Sequence, residues 1–174
     1  MPDRTAREFW TFSLAVYDQP GVATACLALQ ERHGLDVNLL LFCCWAGVRG
    51  AARTAAQIKL LRRAGAAWSA EVVQPLRAVR RRLKSERDDE AQDLRAKVLQ
   101  LEIEAERLEQ ARLLAALPLP AGEPEPRKAG ANLQAYLRSR KVTATETEVA
   151  ELACLLGACF PDLPPLLAVW FLLP

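Results

Sequence analysis

A lone histidine (His33), five cysteines and a tight run of arginines are the groups from which this chain would have to assemble chemistry. One imidazole excludes an H-E-x-x-H zinc helix and the paired E-x-x-H turns of a di-iron bundle, since each needs two. Cys43 and Cys44 are adjacent, so on a helix their side chains diverge by about 100°. Cys154 and Cys159 stand five apart, and neither spacing offers two thiolates to one metal. Together with Cys26 they are expected to be reduced core thiols of a cytoplasmic protein. Ser13, Ser69, Ser85 and Ser139 sit in no G-x-S-x-G elbow. His33, just before Gly34, reads as a helix-end residue that meets free carbonyls and the negative end of the helix dipole. The expectation is a protein without enzymatic activity, metal or cofactor. An enzyme with a hidden pocket around Trp10, Tyr17, His33 and Trp45 stands behind it as an alternative.

What remains is charge. Arg77, Arg80, Arg81, Arg82, Lys84 and Arg87 are the candidate contacts for an anion or a nucleic acid. On a helix Arg77, Arg81 and Lys84 share a face with Arg80 and Arg87 adjoining, a row able to track phosphates, while Leu76, Val79 and Leu83 keep another face apolar. The competing reading pairs these cations with the acids of Asp88 to Glu109, and it carries more weight because no aromatic residue is interleaved to stack bases. Gly47-Val48-Arg49-Gly50 has the form of the G-x-x-G loop that clamps nucleic-acid backbones in KH domains. No strand pattern accompanies it, so it reads as a turn between helices.

The elements that must position these groups are all helical. Ala, Leu, Glu and Arg abound and no run alternates as a strand would. Thr5 with Glu8, Thr54 with Gln57 and Thr145 with Glu148 each make the T-x-x-E/Q capping box that opens a helix. Gly34 closes a second helix, Asp36 caps a third, and that third helix, VNLLLFCCWAG, is apolar on nearly every side, which predicts a helix wrapped by others. The fourth is expected to end near Ala64, with Ser69 capping the next and Pro75 forcing a kink. From Leu76 to Leu117 nothing breaks helix. Unbroken, it would be roughly 60 Å long, projecting from a small domain; Asp88 after Ser85 offers a break instead. Leu94, Val98, Leu101, Ala105 and Leu108 follow heptad steps along it, as in a coiled coil.

The fold class expected is therefore all-α: a compact N-terminal helical bundle over residues 5–84, a charged helical arm over 85–117 packing on or projecting from it, a Pro-rich linker over 118–130, and C-terminal helices with an apolar tail over 131–174. Arg49 to Arg87 carries eleven cations against Glu71 and Glu86; Asp88 to Glu125 carries ten acids against four cations. Such blocks attract one another within a fold or steer a charged partner. The apolar runs Leu39 to Val48 and Leu163 to Pro174 are too short to span a bilayer, so no transmembrane segment is expected. The start, MPDRTAREFW, lacks the apolar stretch of a signal peptide. The reading is a non-enzymatic protein-interaction or adaptor module with a protein partner, with a homodimer through the arm as one form; the alternative is an RNA- or ribosome-associated protein using the basic helix.

The words FWTFSLAVY, PGVATACLALQ, GLDVNLLLF and VVQPLRAVRRRLK resemble an uncharacterised family of short helical proteobacterial proteins, known as a domain of unknown function. The resemblance covers about residues 9–84, with weaker similarity through Leu94 to Leu108 and Asn132 to Leu137. It brings no activity, ligand or site residue to these positions.

Overall fold

The computed structural model describes residues 4–173, and every side chain from Asn38 to Gly47 is buried there. Helices surround that run: α1 (Arg4–Tyr17), α2 (Val22–His33), α3 itself (Val37–Val48) and α4 (Ala55–Trp68), then a π-helical turn (Ser69–Val73), α5 (Gln74–Leu83), α6 (Asp89–Ala116), α7 (Pro126–Ser139), α8 (Glu146–Cys159) and α9 (Pro165–Trp170). Among the described residues there is no strand, so the fold is all-α.

The local signals explain most boundaries. Asp36 Oδ1 accepts from the N–H groups of Asn38 and Leu39, and Gly34 (φ +62°) closes α2 in the left-handed conformation a Cβ disfavours. The boxes at Thr54–Gln57 and Thr145–Glu148 both form. Thr5 does not open α1: it lies inside the helix, and Glu8 is taken up by Arg4 and by Arg49. Nor does Ser69 cap a helix. The chain stays helical through it and widens into the π turn, where the Gln74 N–H reaches the Ser69 carbonyl. Pro75 explains the widening: it has no N–H to give to the preceding turn, and one extra residue per turn lets the helix continue past it.

The arm is not one rod. Lys84 to Asp88 breaks it, Asp88 accepts from the Ala91 N–H at 2.8 Å to start α6, and α5 and α6 fold back on one another as a hairpin. The outer half of α6 is exposed, but Leu113 and Leu114 at its other end lie in the same core as Phe9, Leu40, Leu133, Leu155 and Leu172. The stretch expected as a linker is shorter and docked. Leu119 is buried, the Glu125 N–H donates to the Gly47 carbonyl at 2.9 Å, and α7 begins at Pro126. The apolar tail turns back as α9, burying Ala168 and Leu172 while Leu166 and Trp170 stay exposed.

Candidate functional site

Two features could engage another molecule, and both are built from α5 and α6. The first is the hairpin. The buried face of α6 recurs as Val98, Glu102, Ala105, Glu109 and Leu113, in steps of four and three, so two carboxylates point inward. Arg77 Nε donates to Glu102 Oε1 at 2.9 Å, Arg77 Nη2 to Glu106 at 2.7 Å and Nη1 to Gln30 at 3.0 Å, while Arg80 also binds Glu102. Burial alone would raise the Glu102 carboxyl, but hydrogen bonds and charge from Arg80 and Arg77 outweigh it and hold it below the ordinary value. Of the six predicted anion contacts, Arg77 and Arg80 are thus consumed in joining α5 to α6, and Arg82 pairs with Glu86 at 2.5 Å. Arg81, Lys84 and Arg87 make no ion pair among the described residues, and Arg77 is buried, so no continuous row of six faces outward.

That rotation of α6 also changes the heptad seam. Val98 and Ala105 face the core, whereas Leu94 and Leu101, seven apart and so on one face, are 50% and 58% exposed. The hairpin tip therefore presents an unpartnered apolar stripe beside the acids Asp89, Glu90 and Asp93.

The second feature is a cleft of about 640 Å³ where the end of α2, the start of α3, α4, the π turn, α5 and α6 meet. Cations outnumber acids around it: Lys59, Arg62, Arg63, Arg77, Arg81 and Arg140 against Glu31, Asp36, Glu106 and Glu109. At its base lies the end of a buried polar chain that no sequence motif announced. Ser13 donates to Gln110 at 3.1 Å, Gln110 to Asn38 at 2.9 Å, and Asn38 to Glu109 Oε2 at 3.1 Å. Burial pushes the Glu109 carboxyl up to about 9, with the neighbouring Asp36 carboxylate adding to the shift. At neutral pH Glu109 therefore keeps its proton.

A pH dependence follows. Glu109 ionises at 4.5 when unfolded and near 9 when folded, so the native state binds the extra proton between those values and its stability falls as pH rises. Glu109→Gln, a neutral mimic of the protonated acid, is expected to remove that decline. Paired melts should show the variant gaining on the parent from about pH 5 to about pH 9; a variant-minus-parent difference that stays flat would contradict a protonated Glu109.

The other sequence candidates lie elsewhere. His33 does not meet helix carbonyls: its Nε2 lies 3.0 Å from Glu148 Oε1, and with Arg32, which reaches Glu148 and Glu151 at 2.5 Å each, it clamps α2 to α8. Trp45 packs on Phe9 and Phe12, and Trp10, Tyr17, His33 and Trp45 line no part of the cleft. The glycines of G-x-x-G serve packing. A Cβ on Gly47 would collide with Ala129, and Gly50 (φ +68°) turns left-handed against Glu123.

Fold and site together define an all-α protein with an ion-paired helical hairpin and a cation-rich cleft, and among the described residues no helix is long and apolar enough to cross a membrane. The family described as Protein of unknown function (DUF2390) matches residues 8–113, and the chain belongs to it. That match takes in the hairpin, Glu102 and Glu109, and ends before the docked stretch and α7. No curated protein and no solved structure matches the chain.

Proposed function

We propose that the chain is a non-enzymatic protein-interaction module that captures an amphipathic helix of a partner protein on the tip of the α5–α6 hairpin. One observation carries the reading: Leu94 and Leu101 stand half-exposed on a single face of a helix whose other face is buried from Val98 onward. An apolar stripe at seven-residue spacing, flanked by charge, is the surface against which a second helix docks. The five cysteines are unpaired, which suits work in the reducing cytoplasm. RNA binding through the basic helix is the weaker reading, because Arg77, Arg80 and Arg82 are already neutralised by acids of the same chain.

The test is capture from native lysate, with and without nuclease, followed by reconstitution with the purified partner. Leu94→Asp with Leu101→Asp should weaken that purified complex roughly a hundredfold, since burying two leucines is worth several kcal/mol, while the melting temperature holds. Undiminished affinity would reject the stripe. Capture abolished by nuclease would favour the RNA reading, and self-association lost in the same variant would make the partner a second copy.

A further inference from the structure

The apolar stripe of α6 continues past the hairpin tip. Leu94 and Leu101 are exposed and Leu108 is partly so, which sets three leucines at heptad spacing along about 21 Å of helix. Each lies about 20° further round than the one before, the drift that supercoiling with a second helix takes up.

The charges beside the stripe are ordered about Leu101. Glu90, Asp93 and Lys97 precede it; Glu104, Arg107 and Arg112 follow it. The order is acid, acid, cation, then acid, cation, cation. A copy of the same helix running the other way therefore sets Lys97 against Glu104, Asp93 against Arg107 and Glu90 against Arg112, with Leu94 on Leu108 and Leu101 on itself. The flanks agree as well. Lys97 and Glu104 lie about 40° and 60° to one side of Leu101, Asp93 and Arg107 about 80° and 120° to that same side, and a two-fold axis at Leu101 keeps them there. A parallel copy would put like charge on like at every position. Glu90, Asp93 and Lys97 make no ion pair among the described residues. Glu104 pairs with Arg107 of its own helix and Arg112 lies over the Trp68 ring, yet all three stay in reach of solvent.

We propose, resting on the stripe as a helix-docking face, that its occupant is α6 of a second copy of the chain, the two helices antiparallel about a two-fold axis at Leu101. An isologous interface has to be self-complementary, and this face is. Three leucine layers with exposed ion pairs make a small interface, with an expected dissociation constant of about 1–100 μM.

Sedimentation equilibrium of the full chain from about 1 μM to about 500 μM brackets that range and should show monomer passing into dimer and no larger species. Lys97→Glu should weaken the dimer roughly tenfold or more, because it turns attraction into repulsion at both symmetric pairs, and Glu104→Lys should do the same. Mixing the two variants should recover the parental affinity as a heterodimer, since each chain then meets opposite charge at both pairs. Lys97 and Glu104 are exposed, so the melting temperature of dilute samples should hold. A chain that stays monomeric throughout overturns the proposal, and so does a variant mixture that fails to dimerise. A dimer indifferent to Lys97→Glu and to Leu101→Asp, or lost instead on Trp170→Asp in the exposed tail, overturns it too. A monomeric chain that still captures another protein through Leu94 and Leu101 leaves the docking face standing and removes only the second copy.

Discussion

Glu102→Ala is expected to lower the unfolding free energy by about 3 kcal/mol or more, the range found when one member of a buried ion pair is removed and the other stays behind. The side chain is 4% exposed and accepts from both Arg77 and Arg80. Without it Arg77, itself 9% exposed, keeps only Glu106 and Gln30, and part of its guanidinium stays dry and unpaired. The loss should come from that stranded charge more than from lost attraction. The double variant Arg77→Met with Glu102→Leu separates the two, because it removes both charges and fills the space with apolar atoms. It should recover most of the stability lost by Glu102→Ala, and urea unfolding of the variants would show it. If the double variant falls as far as the sum of its single changes, the pair is held by packing and not by charge. The sign with pH is also fixed. Glu102 is held below its ordinary value in the fold, so its contribution is complete above pH 4.5 and is lost as pH falls through the lowered folded value.

That pair also shows where sequence reading stopped. Asp36, Gly34 and the apolar run to Ala46 are local signals, and the centre of the fold was legible from them. The two carboxylates were not. Glu102 and Glu109 sit in the acidic block, and a rule that puts charge in solvent draws the helix seam through Leu94, Val98, Leu101, Ala105 and Leu108, of which only Val98 and Ala105 are buried. The true buried face runs through Val98, Glu102, Ala105, Glu109 and Leu113, turned away because Arg77 and Asn38 wait on the facing helices. A partner 25 or 71 residues distant leaves no trace in the periodicity of α6 itself. One signal was available: Asn38 and Asn132 are polar residues inside apolar stretches, and a buried amide needs partners. Asn132 is fully buried and holds the turn after α3, donating to the carbonyls of Cys43 and Ala51 and accepting from the Arg53 N–H at 2.7 Å.

The docking of the stretch after α6 leaves no sequence signal for a related reason. Proline and glycine punctuation signals absence of helix, and says nothing about whether the segment is packed. Here Gly122 lies where a Cβ would meet the Arg49 carbonyl oxygen at 2.5 Å, and Gly50 where one would meet that of Glu123 at 2.5 Å. The two glycines let two backbones touch. The segment reads as flexible in composition, yet its glycines are contact residues.

The closest such contact gives the second large expected effect. Gly47→Ala is expected to destabilise the fold by about 3 kcal/mol, the upper end of what overpacking costs. An added methyl carbon would stand 2.4 Å from Ala129 Cβ and 2.7 Å from both Ala129 Cα and N. Those are backbone atoms of α7, so no flexible side chain can swing aside, and α3 and α7 must separate along the crossing that carries Leu133 and Tyr136 into the core. Separation would also stretch the Glu125 N–H to Gly47 carbonyl bond that docks the preceding segment. Gly157→Ala is the control. It lies inside α8 with nothing within 4 Å of the new methyl, so the same substitution there should stabilise by about 0.5–1 kcal/mol through reduced freedom of the unfolded chain. Thermal melts of the two variants should therefore move in opposite directions. A Gly47→Ala protein melting with its parent would mean that α3 and α7 do not cross at this distance, and the packing described for the centre of the molecule would have to be redrawn.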